Sequence, residues 1–327
     1  MSLRKNTGIM QAIVFTEYGS PDVLRVMDVE KPTPGDNEIL VRVHAASVNP
    51  ADWHTLRAKP FLARLANGLL QPKNPRLGAD LAGSVESVGK NISEFRVGDA
   101  VFGELALSGM GSFAEYVCCK EVELALKPVG LSFEQAASVP LAAFTALQGL
   151  RDKGKIQAGQ RVLINGASGG VGTFAVQLAK FFGTEVSAVC STRNMELVRS
   201  IRADHVIDYT KDDFLHQNQR YDLIFDTVGN LSISGCKRVL SPNGICSVAG
   251  FTTMSHLFAI MFFGGKQVGM METAQANKKD LLFLKELLET GKINPVIDRQ
   301  YSLAETAEAI RYLEMGHARG KVVIRLV

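Results

Sequence analysis

Arg161-Val-Leu-Ile-Asn-Gly-Ala-Ser-Gly-Gly-Val-Gly-Thr173 sets out a strand, a glycine loop and the start of a helix, in that order. Val162 to Ile164 are apolar and largely β-branched, as in a strand buried on both faces. Beyond the loop, Val171, Phe174, Ala175, Leu178, Ala179 and Phe182 recur at helical spacing, and Gly183 is placed to end the helix. Between the two lie Gly166, Gly169, Gly170 and Gly172. A loop with so few side chains brings backbone N–H groups and a helix N-terminus close to a pyrophosphate. Against the pattern G-x-G-x-x-G the stretch departs at its first position, which is Ala167. A second strand-like run, Glu185 to Cys190, follows at once. That order separates a dinucleotide loop from an ordinary glycine-rich turn.

Outward from this stretch the alternation continues. Segments 161–165, 185–190, 205–207, 222–226 and 244–249 read as strands, each but the last followed by helical text. Such alternation predicts right-handed βαβ units and a doubly wound parallel sheet. Ser132-Phe-Glu-Gln135 has the form of a capping box opening a helix. Asn277 to Thr290 reads as an amphipathic helix ended by Gly291. The first third is different: Gln11 to Phe15, Leu24 to Asp28, Glu38 to Ala46, Leu81 to Val88, Ala100 to Phe102 and Ser112 to Val117 are short β-rich runs between turns. They predict a β-rich, partly barrel-like domain. The tail, with Val296 to Tyr301, a helix over Leu303 to Met315 and a strand at Lys321 to Val327, is expected to return to that domain.

Length and charge bound the function. A chain of 327 residues suggests about two domains. The net charge of +3 is spread along the chain, so no nucleic-acid footprint shows. Met1 to Lys5 has no apolar stretch after it, and the apolar run Leu257 to Phe263 is far too short to span a bilayer. Five cysteines without C-x-x-C spacing are expected to be reduced, structural thiols in a cytoplasmic protein.

Several blocks make the chain resemble the medium-chain dehydrogenase/reductase superfamily, in its zinc-free quinone oxidoreductase (zeta-crystallin-like) branch. They are Val48-Asn-Pro-Ala-Asp52, Gly78-Ala-Asp-Leu-Ala-Gly83, Val97-Gly-Asp-Ala-Val-Phe102, Gly111-Ser-Phe-Ala-Glu-Tyr116, Ala142-Ala-Phe-Thr-Ala146, Gly166 to Gly172, Asp226-Thr-Val-Gly229 and Gly320-Lys-Val-Val323. The resemblance implies an α/β chain in two domains. One is a Rossmann NADPH-binding domain over 126–294; the other is a β-rich, GroES-like catalytic domain over 1–125 and 295–327. In the zinc-dependent branch a Gly-His-Glu-x-x-Gly block supplies a metal-binding histidine; here that position is Ala79, and the position of the cysteine ligand is Asn49. Neither three catalytic nor four structural zinc ligands are assembled, so no metal is expected.

The cofactor follows from the end of the second strand. An NAD enzyme places Asp or Glu there to bind the ribose 2′-OH. Here Ser191, Thr192 and Arg193 stand at that point, and hydroxyls with a guanidinium suit a 2′-phosphate. NADPH is therefore expected, with a solvated charge opening a helix as the alternative for Arg193. By resemblance, Lys321 and Tyr209 also approach the adenosine phosphate. Asn49 sits beside the nicotinamide ribose, or is an ordinary turn residue before proline. Thr145 contacts the pyrophosphate or nicotinamide side, and Val228, Gly250 and Phe251 flank the cofactor. With Gly166, Ala167, Ser168, Gly169, Gly170, Val171 and Gly172 these form the expected cofactor site.

Chemistry without a metal needs an already electron-poor substrate, a placed hydride and a proton. The expected activity is hydride transfer to a quinone or an α,β-unsaturated carbonyl, with Asn49, Asp52 and His54 as catalytic candidates. His54 is either a hydrogen-bond donor or proton relay, or a packed or surface group. A 2-enoyl or alkenal reductase, and an NADPH-binding protein with vestigial catalysis, are the rival readings. Phe262 and Phe263 form either an apolar wall or a buried or dimer-facing helix turn. Cys118 and Cys119 are expected to be core thiols, since adjacent cysteines form only strained disulfides. The strand-like run Lys266 to Met271, by resemblance, pairs with its counterpart in a homodimer. The partners expected are a small-molecule substrate and a second copy, with no nucleic acid and no membrane.

Overall fold

Apolar, β-branched segments flanked by glycine turns form the strands that carry the second half of the chain. The computed structural model describes residues 8–59, 64, 68–105, 108–216, 218–250 and 252–326. The described chain divides into two units. One holds residues through Leu141 with Ala276–Glu289 and those from Ile297 onward; the other holds Ala142–Gln275 with Thr290–Val296.

The second unit is built on six strands, β8 (Arg161–Asn165), β9 (Glu185–Cys190), β10 (His205–Asp208), β11 (Tyr221–Asp226), β12 (Leu240–Val248) and β13 (Val268–Met270). They lie in the order β10-β9-β8-β11-β12-β13, and every neighbouring pair is parallel. This is the doubly wound order in which the chain runs outward from its first strand one way and then the other. The reversal falls between β8 and β11, so the loops after these strands border the crevice where such sheets bind ligands. Its core is Leu163, Val189, Tyr221, Ile224, Leu240, Cys246 and their neighbours.

The first unit is largely antiparallel. Its strands are β1 (Ile9–Val14), β2 (Arg25–Glu30), β3 (Glu38–Val48), β4 (Asp80–Val88), β5 (Ala100–Glu104), β6 (Tyr116–Lys120), β7 (Leu124–Leu126), β14 (Ile297–Ser302) and β15 (Lys321–Arg325). β1 and β2 form a hairpin, and the rest follow the order β14-β15-β3-β4-β5-β7, with β6 also on β3. The tail does return: β15 lies antiparallel to β3, with Val322 opposite Val48.

Three boundaries differ from the sequence reading. The helix Lys278–Glu289 belongs to the first unit, because Lys278 Nζ reaches Glu94 at 2.6 Å and Glu289 accepts from Val129 N at 3.2 Å. Segment 126–141 goes with it. The run expected as a strand from Ser112 starts only at Tyr116, because Gly111 takes φ +125° and both Gly111 N and Ser112 N turn back to the carbonyl of Gly78. The capping box stands as read: Ser132 Oγ accepts from Gln135 N at 3.2 Å, and Gln135 Oε1 accepts from Ser132 N at 2.9 Å.

Candidate functional site

The glycine turn explains its own departure from the usual pattern. Gly166, one residue before Ala167, takes φ +80° and makes the sharp turn out of β8. A Cβ on Gly166 would lie 2.5 Å from Thr227 Oγ1 and 2.7 Å from Val228 Cγ2. Ala167 is then free to be buried, its N–H donating to Val189 O at 3.0 Å. Gly172 is required by close packing, since its Cβ would stand 2.0 Å from Gly166 O. Gly169 is different: it is the N-cap, at φ −80° and ψ 175°, and an added Cβ would meet only Gly166 O, at 3.4 Å. Among the described residues nothing demands glycine there. A ligand approaching the backbone would, and this is the cradle a pyrophosphate needs.

The helix Gly170–Phe181 begins at this turn without a side-chain cap. Thr173 N is the donor that closes its first turn onto Gly169 O, so the N–H groups of Gly170, Val171 and Gly172 precede the intrahelical ladder. These groups and the helix dipole suit an anion. The facing loop after β11 is tied down by Asp226, fully buried, which accepts from the N–H groups of Val228, Gly229 and Leu231 and from Asn165 Nδ2 at 2.8 Å. Val228 beside it remains 41% exposed, an apolar side chain left for a ligand to cover. Gly250, after β12, lies against the same loop, with Thr227 O and Val228 O each 3.8 Å from where its Cβ would be. Phe251 lies outside the described residues. Thr145 is half-buried on the helix Pro140–Gln148.

At the end of β9, Ser191 follows Cys190, Arg193 is exposed, and Tyr209 N donates to Cys190 O at 3.1 Å. No acidic residue stands at the tip of β9, but Asp208 ends the neighbouring β10, opposite Cys190. Its carboxylate accepts from Thr192 Oγ1 and from both the N–H and the hydroxyl of Thr210. The hydroxyl of Thr192 holds its carboxyl below the usual range, with Thr210 adding to the effect. Thr192 is thereby committed to Asp208.

The first unit assembles the other group. Asn49 caps the helix Pro50–Arg57. Its Nδ2 donates to Asp80 Oδ2 at 2.9 Å and Ser47 O at 3.2 Å, and its Oδ1 accepts from Lys321 Nζ at 2.6 Å. Lys321 Nζ is also 3.3 Å from Asp80 Oδ2, and its side chain is 3% exposed. This corrects the expectation for Lys321: its ammonium is not offered to an adenosine phosphate but held by Asn49 and Asp80. Burial pulls its pKa down, and the Asp80 carboxylate pulls it back up. Asp80 was legible as a charge inside the apolar run Leu77 to Val85, yet carried no role in the sequence reading.

Asp52 is buried beneath this network, with Oδ2 accepting from Asn49 N at 2.7 Å and Oδ1 from Gly78 N at 2.8 Å. Burial raises its pKa to about 7 against the opposing effect of those two N–H donors. Its visible work is to pin two segments of backbone. His54 stacks on Trp53, ring centroids 3.7 Å apart, and its Nδ1 donates to Lys59 O at 3.1 Å. Burial lowers its pKa, so the neutral ring presents Nε2 as an acceptor. Donating to an oxyanion would require the imidazolium that burial disfavours.

The remaining sequence candidates find plain places. Phe262 and Phe263 are exposed, on the helix Met254–Phe263 next to β13, at one end of the parallel sheet. Cys119 is buried with its thiol pKa well raised, and burial lifts Cys118 to about 11. Among the described residues no group of three or more His, Cys, Asp or Glu is arranged to hold a metal, and no helix is long and apolar enough to cross a membrane.

Two family models match the chain: an alcohol dehydrogenase GroES-like domain over residues 35–129, and a zinc-binding dehydrogenase domain over residues 201–324. The chain is 36% identical to the 2-methylene-furan-3-one reductase of Solanum lycopersicum, covering 96% of this chain and 79% of that protein. It is 34% identical to the chloroplastic NADPH-dependent alkenal/one oxidoreductase of Arabidopsis thaliana, with the same coverage, 96% and 79%. The solved quinone oxidoreductase from Coxiella burnetii superposes with a TM-score of 0.86 at 33% identity, over 98% of this chain and all (100%) of that one.

Proposed function

Because this chain belongs to the medium-chain dehydrogenase/reductase superfamily and is an oxidoreductase using a nicotinamide cofactor, we propose that it is an NADPH-dependent, zinc-independent reductase of quinones or α,β-unsaturated carbonyls. One observation carries the metal-free reading. Asn49 stands at the cysteine-ligand position, next in the fold to Asp80, and an ammonium already sits against both, Lys321 Nζ at 2.6 and 3.3 Å. An organic cation, fixed to the backbone, takes up the charge of this buried acid where the zinc branch places metal-binding side chains.

A nicotinamide dinucleotide held here would supply the hydride for an electron-poor carbon. The chain's own residues do the rest. The first-turn N–H groups of Gly170–Phe181 hold the pyrophosphate, and Gly169 lets it approach. Ser191 and Arg193, with Tyr209, favour the 2′-phosphate over a bare ribose. Asn49, its amide fixed on both sides, borders the nicotinamide ribose, and Thr145 the pyrophosphate or nicotinamide side. Asp52 holds the backbone of Asn49, and the Nε2 of His54 is an acceptor that can take a proton from water and pass it to the reduced substrate. We place the homodimer contact at the β13 edge, beside the exposed Phe262 and Phe263.

The test is NADPH oxidation against a panel of quinones, enones and 2-alkenals, with kcat/KM for NADPH and NADH compared and repeated after chelation. Turnover with NADPH preferred and unaffected by chelation supports the proposal. A preference for NADH, or dependence on added Zn²⁺, rejects it. Cofactor binding without turnover on any member of the panel would leave a binding protein.

A further inference from the structure

Asn194 is the N-cap of the helix Met195–Ser200, yet its side chain makes no capping hydrogen bond. Instead its Nδ2 donates to Ser168 Oγ at 2.9 Å and to Ser191 Oγ at 3.3 Å. Ser168 belongs to the glycine turn and Ser191 to the tip of β9. The amide thus joins the pyrophosphate end of the candidate site to the 2′-phosphate end, from a position only 5% exposed. Its Oδ1 is buried without a hydrogen-bond partner.

An unpaired buried acceptor is costly and calls for an explanation. In the structure the amide nitrogen donates to both hydroxyls and Oδ1 is left as the unpaired atom. This orientation has a chemical consequence. A serine oxygen that accepts from Asn194 keeps its own O–H proton for another partner. Both hydroxyls are therefore donors toward whatever lies outside, and a phosphate is purely an acceptor. Ser191 Oγ accepts no capping N–H from the turn it opens, which leaves its lone pairs to the Asn194 amide.

We propose that Asn194 is a positioning residue for cofactor selection, polarising the Ser168 and Ser191 hydroxyls so that they donate to the phosphates of an adenine dinucleotide. This deepens the NADPH reading and rests on it. Ser168 serves either dinucleotide, whereas Ser191 serves the 2′-phosphate alone. Discrimination between NADPH and NADH then depends on a residue that touches neither.

The experiment compares Kd for NADPH and for NADH by titration of wild type, Asn194→Asp, Asn194→Ala and Ser191→Ala, with Tm measured alongside. Asp has the same shape as Asn, and the Tm measured alongside reports whether Asn194→Asp retains the fold. Its carboxylate accepts both serine protons and withdraws them from the phosphates. We expect Kd for NADPH to rise about tenfold or more, the scale of one hydrogen bond to a charged group, and to rise more than Kd for NADH. Ser191→Ala should lower the preference for NADPH, and adding Asn194→Ala to it should change the ratio of the two Kd values no further. An unchanged ratio in Asn194→Asp, at unchanged Tm, overturns the proposal. Wild type binding the two dinucleotides equally would reject the NADPH reading and Ser191's part with it. Ser168's part would then be judged on Kd for NADH, which Asn194→Asp must still raise.

Discussion

Replacing Gly169 by alanine separates what the protein needs at the turn from what a ligand needs. At φ −80° and ψ 175° the backbone is in a region open to any residue, and the new Cβ would meet only Gly166 O at 3.4 Å, an ordinary contact. The loss of unfolded-state freedom stabilises the folded chain by about 0.4–1 kcal/mol. Exchanging glycine for alanine at an N-cap costs roughly the same. The two offset, and Tm should stay within about 2 °C of wild type. Gly172→Ala is the contrast. Its Cβ would stand 2.0 Å from Gly166 O, so turn and helix must part by about 1.4 Å to reach an ordinary contact of 3.4 Å. Overpacking of this kind costs about 1–3 kcal/mol. For cofactor binding the order changes. A methyl on Gly169 enters the space the pyrophosphate must approach, and the same range of about 1–3 kcal/mol raises Kd for NADPH about 5- to 150-fold. Fluorescence titration and thermal unfolding of the two variants read both effects. Gly169→Ala binding NADPH as wild type does would refute the reasoning, as would a Tm loss matching that of Gly172→Ala.

Other outcomes follow from the buried network. Asp52 titrates at about 7 when folded, because burial outweighs its two N–H donors, and at an ordinary 3.8 when unfolded. Between these values the folded chain holds a proton the unfolded chain has lost. Stability contributed by this group is therefore full below about pH 4 and falls as pH climbs to 7, by a total on the order of 4 kcal/mol. Asp52→Asn should flatten that slope in urea titrations across pH while costing about 1–3 kcal/mol for one backbone N–H left unpaired; a slope equal to that of wild type counts against it. Lys321→Met removes the cation paired with the buried Asp80, an expected loss of about 3–5 kcal/mol, much of it recovered by adding Asp80→Asn. Additive losses in the double variant would show that the two side chains do not form a pair. Phe262→Glu, at a side chain 75% exposed, should leave Tm of the folded chain nearly unchanged but shift sedimentation from dimer to monomer. A wild-type monomer would remove the β13 contact from the account.

The parallel half of the fold was legible because its strands are short apolar runs alternating with helical text, and 161–165 and 185–190 match their observed bounds. Two periodicities suffice there: alternation of element type and helical spacing. The β-rich half was harder. Tyr116–Lys120 was misplaced by several residues because a chain reversal at Gly111, fixed by two N–H groups on Gly78 O, leaves no trace in hydrophobic pattern. The helix Lys278–Glu289 falls inside the 126–294 bounds that the resemblance implies, and its ties to Glu94 and Val129 place it with the other unit. In the site, the glycines were plain, but the reason for Ala167 was not. That required the φ of Gly166. Lys321 is expected at the adenosine phosphate by resemblance alone, because its partners, Asn49 and Asp80, lie 272 and 241 residues away. Asn194 carries no role in the sequence reading, and its link to Ser168 spans 26 residues, a helix and a strand.

A crystal structure of the wild-type chain grown with NADPH tests the central claim most directly. The account predicts the pyrophosphate on the N–H groups at the start of Gly170–Phe181, passing over Gly169, with the 2′-phosphate beside Ser191 and Arg193. A dinucleotide bound away from that turn, or one whose 2′-phosphate turns away from Ser191 and Arg193, would contradict it.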